Sequence, residues 1–137
     1  MEPKENVKVI QQAYANFKTG NIAGLLDLVS DRVEWQLPEM IGVPFAGKRK
    51  GRDGVAGFFA KLAETEEVIS FEPREFIAQD DKVVVTGAYS FRVKGTRQTF
   101  NSEWAHFFIV KDGKIARFQE FMDTAAVVAA YQQPKAA

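Results

Sequence analysis

The stretch Asn101-Ser-Glu-Trp-Ala-His-Phe-Phe-Ile-Val-Lys-Asp-Gly-Lys-Ile-Ala-Arg-Phe-Gln-Glu-Phe-Met122 decides the fold. Apolar and polar side chains alternate from Gln98 to Val110 and again from Lys114 to Met122, the period of half-buried strands. Between the two runs Asp112-Gly113 is a turn signal, so they form an antiparallel hairpin. Which residues share its inner face depends on the turn. A two-residue turn at Asp112-Gly113 puts Glu103, Ala105 and Phe107 with Phe118, Glu120 and Met122. A three-residue turn, Lys111-Asp112-Gly113 with a bulge, puts Trp104, His106 and Phe108 there instead, because a slip of one residue exchanges whole faces. The bulged turn is favoured: Asp suits the bridge position and Gly the left-handed one that closes it.

Working outward, Val68 to Ala78 and Lys82 to Val93 read as two further strands, with Asp80-Asp81 and Gly95 marking turns. Upstream the period becomes helical. Residues 5–18 carry Val9, Ile10, Ala13, Tyr14 and Phe17 on one stripe, ended by Gly20, the pattern of an amphipathic helix. A second helix is expected over Ile22 to Val29 behind an Asn21 cap, then a strand from Arg32 to Leu37 that Pro38 stops. Residues 38–52, rich in Pro and Gly, read as a long loop of the kind that often carries function. Asp53 is expected to cap a third helix with Val55, Phe58, Phe59 and Leu62 inward, and Asp123 a last helix to about Tyr131. This order predicts one α+β domain over residues 1–137, a curved, mainly antiparallel sheet with helices on one face.

Composition narrows the function. Eighteen basic residues balance eighteen acidic ones, which argues against nucleic-acid or anionic-membrane partners. The basic run Lys48-Arg49-Lys50 with Arg52 reads as a solvated loop. There is no cysteine and one histidine, which excludes thiolate chemistry and cysteine or multi-histidine metal sites. No metal and no cofactor is expected. The polar N-terminus lacks a signal core, and no apolar run nears the ~20 residues that span a bilayer; a cytoplasmic protein is expected. Twelve phenylalanines imply either an aromatic-rich interior or a cavity lined by rings.

Several stretches resemble one family. Tyr14-Ala-Asn-Phe-Lys-Thr-Gly-Asn21, Asp31-Arg-Val-Glu-Trp35, Phe45-Ala-Gly-Lys-Arg-Lys-Gly-Arg-Asp-Gly-Val55, Glu103 to Ile115 and Glu120-Phe-Met-Asp-Thr-Ala125 look like the SnoaL-like branch of the nuclear transport factor 2-like superfamily, close to its ketosteroid isomerase-related group. The resemblance covers nearly the whole chain. It implies a cone: a bent sheet around the first helix, open at one end to a pocket. Its members include isomerases, cyclases, dehydratases and binding subunits, so the fold does not specify the reaction.

Ketosteroid isomerases use an Asp base with a Tyr and a protonated Asp as oxyanion hole. Alignment on that pattern places Ala13 at the tyrosine, Leu37 at the base and His106 at the second aspartate, with Tyr14 one position away, about 100° around the helix. The steroid machinery is absent in that form. In the favoured register the pocket comprises Trp35, Trp104, His106, Phe108, Phe118, Glu120 and Met122, walled by Phe17 and Leu37, with Phe45 near its mouth. His106 then stands beside Phe118, and Glu120 is its diagonal neighbour at roughly 7 Å. A carboxyl and an imidazole in an aromatic cavity are the minimum for moving a proton beside a carbonyl. His106 and Glu120 are therefore the candidate catalytic pair, and the ligand a small hydrophobic molecule. A binding protein without catalysis and a dimerisation module are the competing readings. For a homodimer, Phe107, Ile109 and Phe121, with Phe91 or Val93, would form the apolar outer face of the sheet.

Overall fold

The computed structural model describes residues 2–133. Helix α1 (Pro3–Lys18) starts with proline in its first turn and ends before Gly20, whose φ of 75° provides the left-handed exit. Its stripe Asn6, Ile10, Ala13 and Tyr14 is buried. Helix α2 is shorter than the sequence suggests (Ile22–Leu26); Asn21 caps it through Gly24 N–H, and strand β1 (Val29–Gln36) takes over at Val29. The loop after β1 contains a three-residue edge strand, β2 (Lys48–Lys50), so the basic run is partly sheet. Arg52 binds Val29 O at 2.9 Å and Asp31 at 2.8 Å, joining this segment to β1. Helix α3 (Gly51–Thr65) begins three residues earlier than an Asp53 cap would require. Lys50 is its N-cap and Asp53 lies in its first turn, where a negative charge still favours the helix dipole.

Strands β3 (Glu66–Gln79), β4 (Lys82–Val93), β5 (Thr99–Lys111) and β6 (Lys114–Met122) form the meander, and α4 (Thr124–Tyr131) follows, capped by Asp123 through Ala126 N–H. The sheet order is β2-β1-β6-β5-β4-β3. All neighbours are antiparallel except β1 with β6. Register shifts between Val68 and Ser70 and between Pro73 and Glu75 bend β3 along β4, as bulges do. On β4 the alternation is strict: Val83, Val85, Gly87, Tyr89, Phe91 and Val93 are buried and their neighbours are not. Phe91 and Val93 therefore belong to the interior, not to the outer face proposed from the sequence. Gly87 is required by packing, since a Cβ there would lie 2.4 Å from the Trp104 ring and 2.4 Å from Glu72 O.

The decisive hairpin differs from the expectation in an instructive way. Asp112 (φ 52°) and Gly113 (φ 76°) are both left-handed and Lys111 pairs with Lys114, a two-residue turn. Taken alone this turn would bring Glu103, Ala105 and Phe107 inside. Instead Val110 pairs with Ile115 while Ile109 pairs with Arg117, so Ala116 is an extra residue in β6. That bulge restores the other face. Trp104 lies opposite Met122, His106 opposite Glu120 and Phe108 opposite Phe118. The inner residues are those favoured from sequence, but by a bulge in the strand and not in the turn. His106 and Glu120 are thus directly opposed, not diagonal. Among the described residues no helix is long and apolar enough to cross a membrane.

Candidate functional site

The inner face of the sheet, α1, α3 and α4 enclose a cavity of about 80 Å³. Its walls are almost wholly aromatic and aliphatic. Phe17 comes from α1, Trp35 and Leu37 from β1 and its exit, Phe45 from the loop, Phe58 and Phe59 from α3, and Phe108, Phe118 and Met122 from β5 and β6. Trp35 stacks on Phe118 at 4.1 Å between ring centres. Every residue expected to line the pocket does so except Trp104, whose ring stacks on His106 at 4.0 Å and lies behind it, over Gly87. Trp104 supports the imidazole instead of touching the cavity.

Across this apolar wall runs one chain of polar groups. Tyr14 Oη lies 2.8 Å from His106 Nδ1, His106 Nε2 lies 3.0 Å from Glu120 Oε1, and Tyr89 donates to Glu120 Oε2 at 2.7 Å. All four side chains are buried. Burial, reinforced by the Glu120 charge, pushes the Tyr14 phenol far above its ordinary range. Burial first, then the Glu120 charge and the hydrogen bond to it, do the same for Tyr89. Both phenols therefore keep their protons and serve as donors. An ionised Glu120 only accepts, so it takes Tyr89 O–H and His106 Nε2–H. His106 Nδ1 is then bare and accepts from Tyr14. Protonation of His106 reverses that last bond: Nδ1–H donates to the Tyr14 oxygen and frees the phenolic hydrogen for the cavity. The direction of one phenol thus follows the charge of the imidazole.

On the family pattern Tyr14 sits one residue from the tyrosine position. The structure nonetheless brings its hydroxyl to His106, since it lies four residues after Ile10 on the buried stripe. Tyr89 had a readable signal in the parity of Val83, Val85 and Gly87. Glu66 and Tyr131 had none. Glu66, at the start of β3, is 6 % exposed and lines the cavity. Its Oε2 accepts from Tyr131 of α4. Burial raises its carboxyl to about 7, with the Glu120 charge adding to the rise and the Tyr131 hydrogen bond opposing it. Among the described residues no group of three or more His, Cys, Asp or Glu side chains is placed to hold a metal ion.

The SnoaL-like domain model matches residues 10–118, most of the chain. The chain belongs to the SnoaL-like domain family. Among solved structures with this SnoaL-like architecture, an NTF2-like protein from Burkholderia xenovorans LB400 is 34% identical, over 96% of this chain and 99% of that one, with a TM-score of 0.87. TerC, co-crystallised with polyporic acid, is 30% identical over 93% of this chain and 98% of its own, with a TM-score of 0.81. A candidate polyketide cyclase from Xanthomonas campestris pv. campestris shares the fold, with a TM-score of 0.77 at 18% identity over 95% and 98% of the two chains. No curated protein matches in sequence.

Proposed function

We propose that this SnoaL-like chain is a small-molecule pocket protein that moves a proton on a hydrophobic carbonyl compound, an isomerase- or cyclase-type reaction needing no cofactor. The observation that carries this is the chain Tyr14–His106–Glu120–Tyr89 set in a cavity wall that, Glu66 aside, is otherwise apolar. A core does not need four buried, hydrogen-bonded titratable groups, because apolar side chains of similar volume are often as stable there. Glu120 holds Nε2–H and so keeps Nδ1 as the basic atom. When a substrate oxygen replaces the imidazole as acceptor of Tyr14 O–H, Nδ1 is released to take a proton from the adjacent carbon. The enolate oxygen that forms is held by Tyr14, and the imidazolium is held by Glu120 and the Trp104 face. Return of the same proton to another carbon completes an isomerisation. In this reading TerC's co-crystallisation with polyporic acid supports a small organic ligand for this chain as well.

The test is deuterium exchange beside the carbonyl of hydrophobic ketones in D₂O, followed by NMR. His106→Gln keeps shape and polarity and is expected to slow exchange by about 10²–10⁴-fold while binding changes little. Ketones that bind but exchange at the buffer rate would favour the second reading, ligand binding without catalysis. That reading is supported by the engagement of both His106 nitrogens within the protein.

The same chain is proposed to form an isologous dimer through the outer face of its sheet. Phe121 is 51% exposed and Ile77 58% exposed, and Phe107 and Ile109 are half-buried on that face. A monomer seldom leaves such a patch in water.

A further inference from the structure

The polar chain at His106 occupies one end of the cavity, and its proposed role leaves Glu66 unexplained. On β4, His106 stands across from Val85, whereas Glu66 stands across from Val93 further along the same strand, with inward-facing Tyr89 between them. Glu66 is therefore a second polar group at the other end of the aromatic enclosure. Oε2 is held by Tyr131, but Oε1 has no hydrogen-bond partner among the described residues. The neighbouring Thr65 hydroxyl cannot supply one, because its proton goes to Lys61 O at 2.8 Å.

Holding α4 in place does not account for a carboxyl here. Thr96 Oγ1 already binds Ala130 O, and Gln98 Nε2 binds Ala130 O at 3.1 Å. Any acceptor in place of Glu66 would hold the Tyr131 hydroxyl, and a neutral one would avoid the cost of burying an acid.

We propose that Glu66 is the recognition group for a hydroxyl at the far end of the ligand, so that the pocket takes a flat, apolar molecule carrying a carbonyl at one end and a hydroxyl at the other. This rests on the reading of the cavity as a ligand site and adds the class of ligand. The carbonyl faces Tyr14; the hydroxyl donates to Glu66 Oε1. Burial of Glu66 and its raised carboxyl make this contact sensitive to ionisation near neutrality, the carboxylate being the stronger acceptor.

The experiment is a binding series followed by tryptophan fluorescence and calorimetry. Para-hydroxybenzaldehyde, a hydroxynaphthaldehyde and a hydroxybiphenyl carbaldehyde are each compared with the parent aldehyde lacking the hydroxyl. In the wild type at least one frame is expected to bind about tenfold more tightly with the hydroxyl, the worth of a hydrogen bond to a charged group. Glu66→Leu should erase that preference and leave the parent aldehyde's affinity in place. Glu66→Gln, nearly isosteric, covers the case in which Leu does not fold, and should reduce the preference by about threefold or more. A preference that is equal in wild type and variants, or that is absent in wild type while the parent aldehydes bind, overturns the role of Glu66 alone. A fall in melting temperature with the preference intact overturns it too, leaving Glu66 as a tie for α4. If no aldehyde binds at all, the ligand-site reading falls and the proposal falls with it.

Discussion

The two faces of strand β5 differ by one residue in sequence and by almost everything in environment. Trp104, His106 and Phe108 are buried against rings and hydrogen-bonding partners; Ala105, Phe107 and Ile109 face the other way and stay half-exposed. Both faces are apolar enough to be a core. What separates them is Ala116, the single extra residue in β6 that aligns Glu120 with His106. A chemical site in a meander is thus assigned by register before it is assigned by residue type.

The comparison breaks most completely if one residue is inserted between Ala116 and Arg117. With the two-residue turn and a single bulge kept, the added residue would put Phe118, Glu120 and Met122 opposite Phe107, Ala105 and Glu103, the wrong face of β5. We expect loss of the folded state, seen as collapse of amide dispersion in NMR; a variant that stays native-like, with its His106–Glu120 contact intact, would show that the bulge is not what sets the face.

Glu120→Gln sharpens the comparison from inside. The amide would accept Tyr89 O–H through its oxygen and present NH₂ to His106, so Nε2 must become the acceptor and Nδ1 carry the proton. The imidazole is held in the wrong tautomer with its geometry preserved, an exchange that lowers a His-dependent rate by up to about 10⁴-fold in serine proteases. Nitrogen-15 spectra of His106 should report the tautomer switch whether or not a substrate is in hand. An unchanged Nε2–H signal would mean that Glu120 does not orient the ring.

Glu66 provides the pH dependence. Its carboxyl is raised from 4.5 to about 7 in the folded chain, so the unfolded chain loses this proton first as pH rises. The stabilising contribution is complete below about 4.5, declines through the interval and is lost above about 7. Its full size is about 3 kcal/mol. Denaturant midpoints measured from pH 5 to pH 8 should fall less steeply in Glu66→Gln than in the wild type. Parallel curves would remove Glu66 as the cause.

The smallest effect on the fold is expected on the outer face. Phe121→Ser removes a half-exposed ring, and monomer stability should move by no more than about 0.5 kcal/mol, as at ordinary surface positions. The same variant should shift mass in light scattering from dimer to monomer. A wild-type monomer at micromolar concentration would remove the dimer.

Much of this was legible in the sequence, for reasons visible in single residues. The alternation of β4 from Val83 to Val93 and the stripe from Val9 to Phe17 report burial directly, because period follows backbone geometry. Asn21 and Asp123 were readable as caps because a short acceptor before a helix has one common use. Asp53 misled by the same logic, since Lys50 starts α3 without a side-chain cap.

The sequence by itself determined the elements, the α+β order, the aromatic interior and the candidacy of His106 and Glu120, because each rests on local periodicity or on scarcity of residue type. Tertiary structure alone decided the rest. Ala116 carries no local mark of a bulge, and its place follows from the pairing of β6 with both β1 and β5. Tyr14 meets His106 from 92 positions away in sequence. Tyr131 meets Glu66 across 65. No local pattern encodes such partners; they are brought together by closure of a curved sheet around α1, and their proton affinities are set by the burial that closure creates.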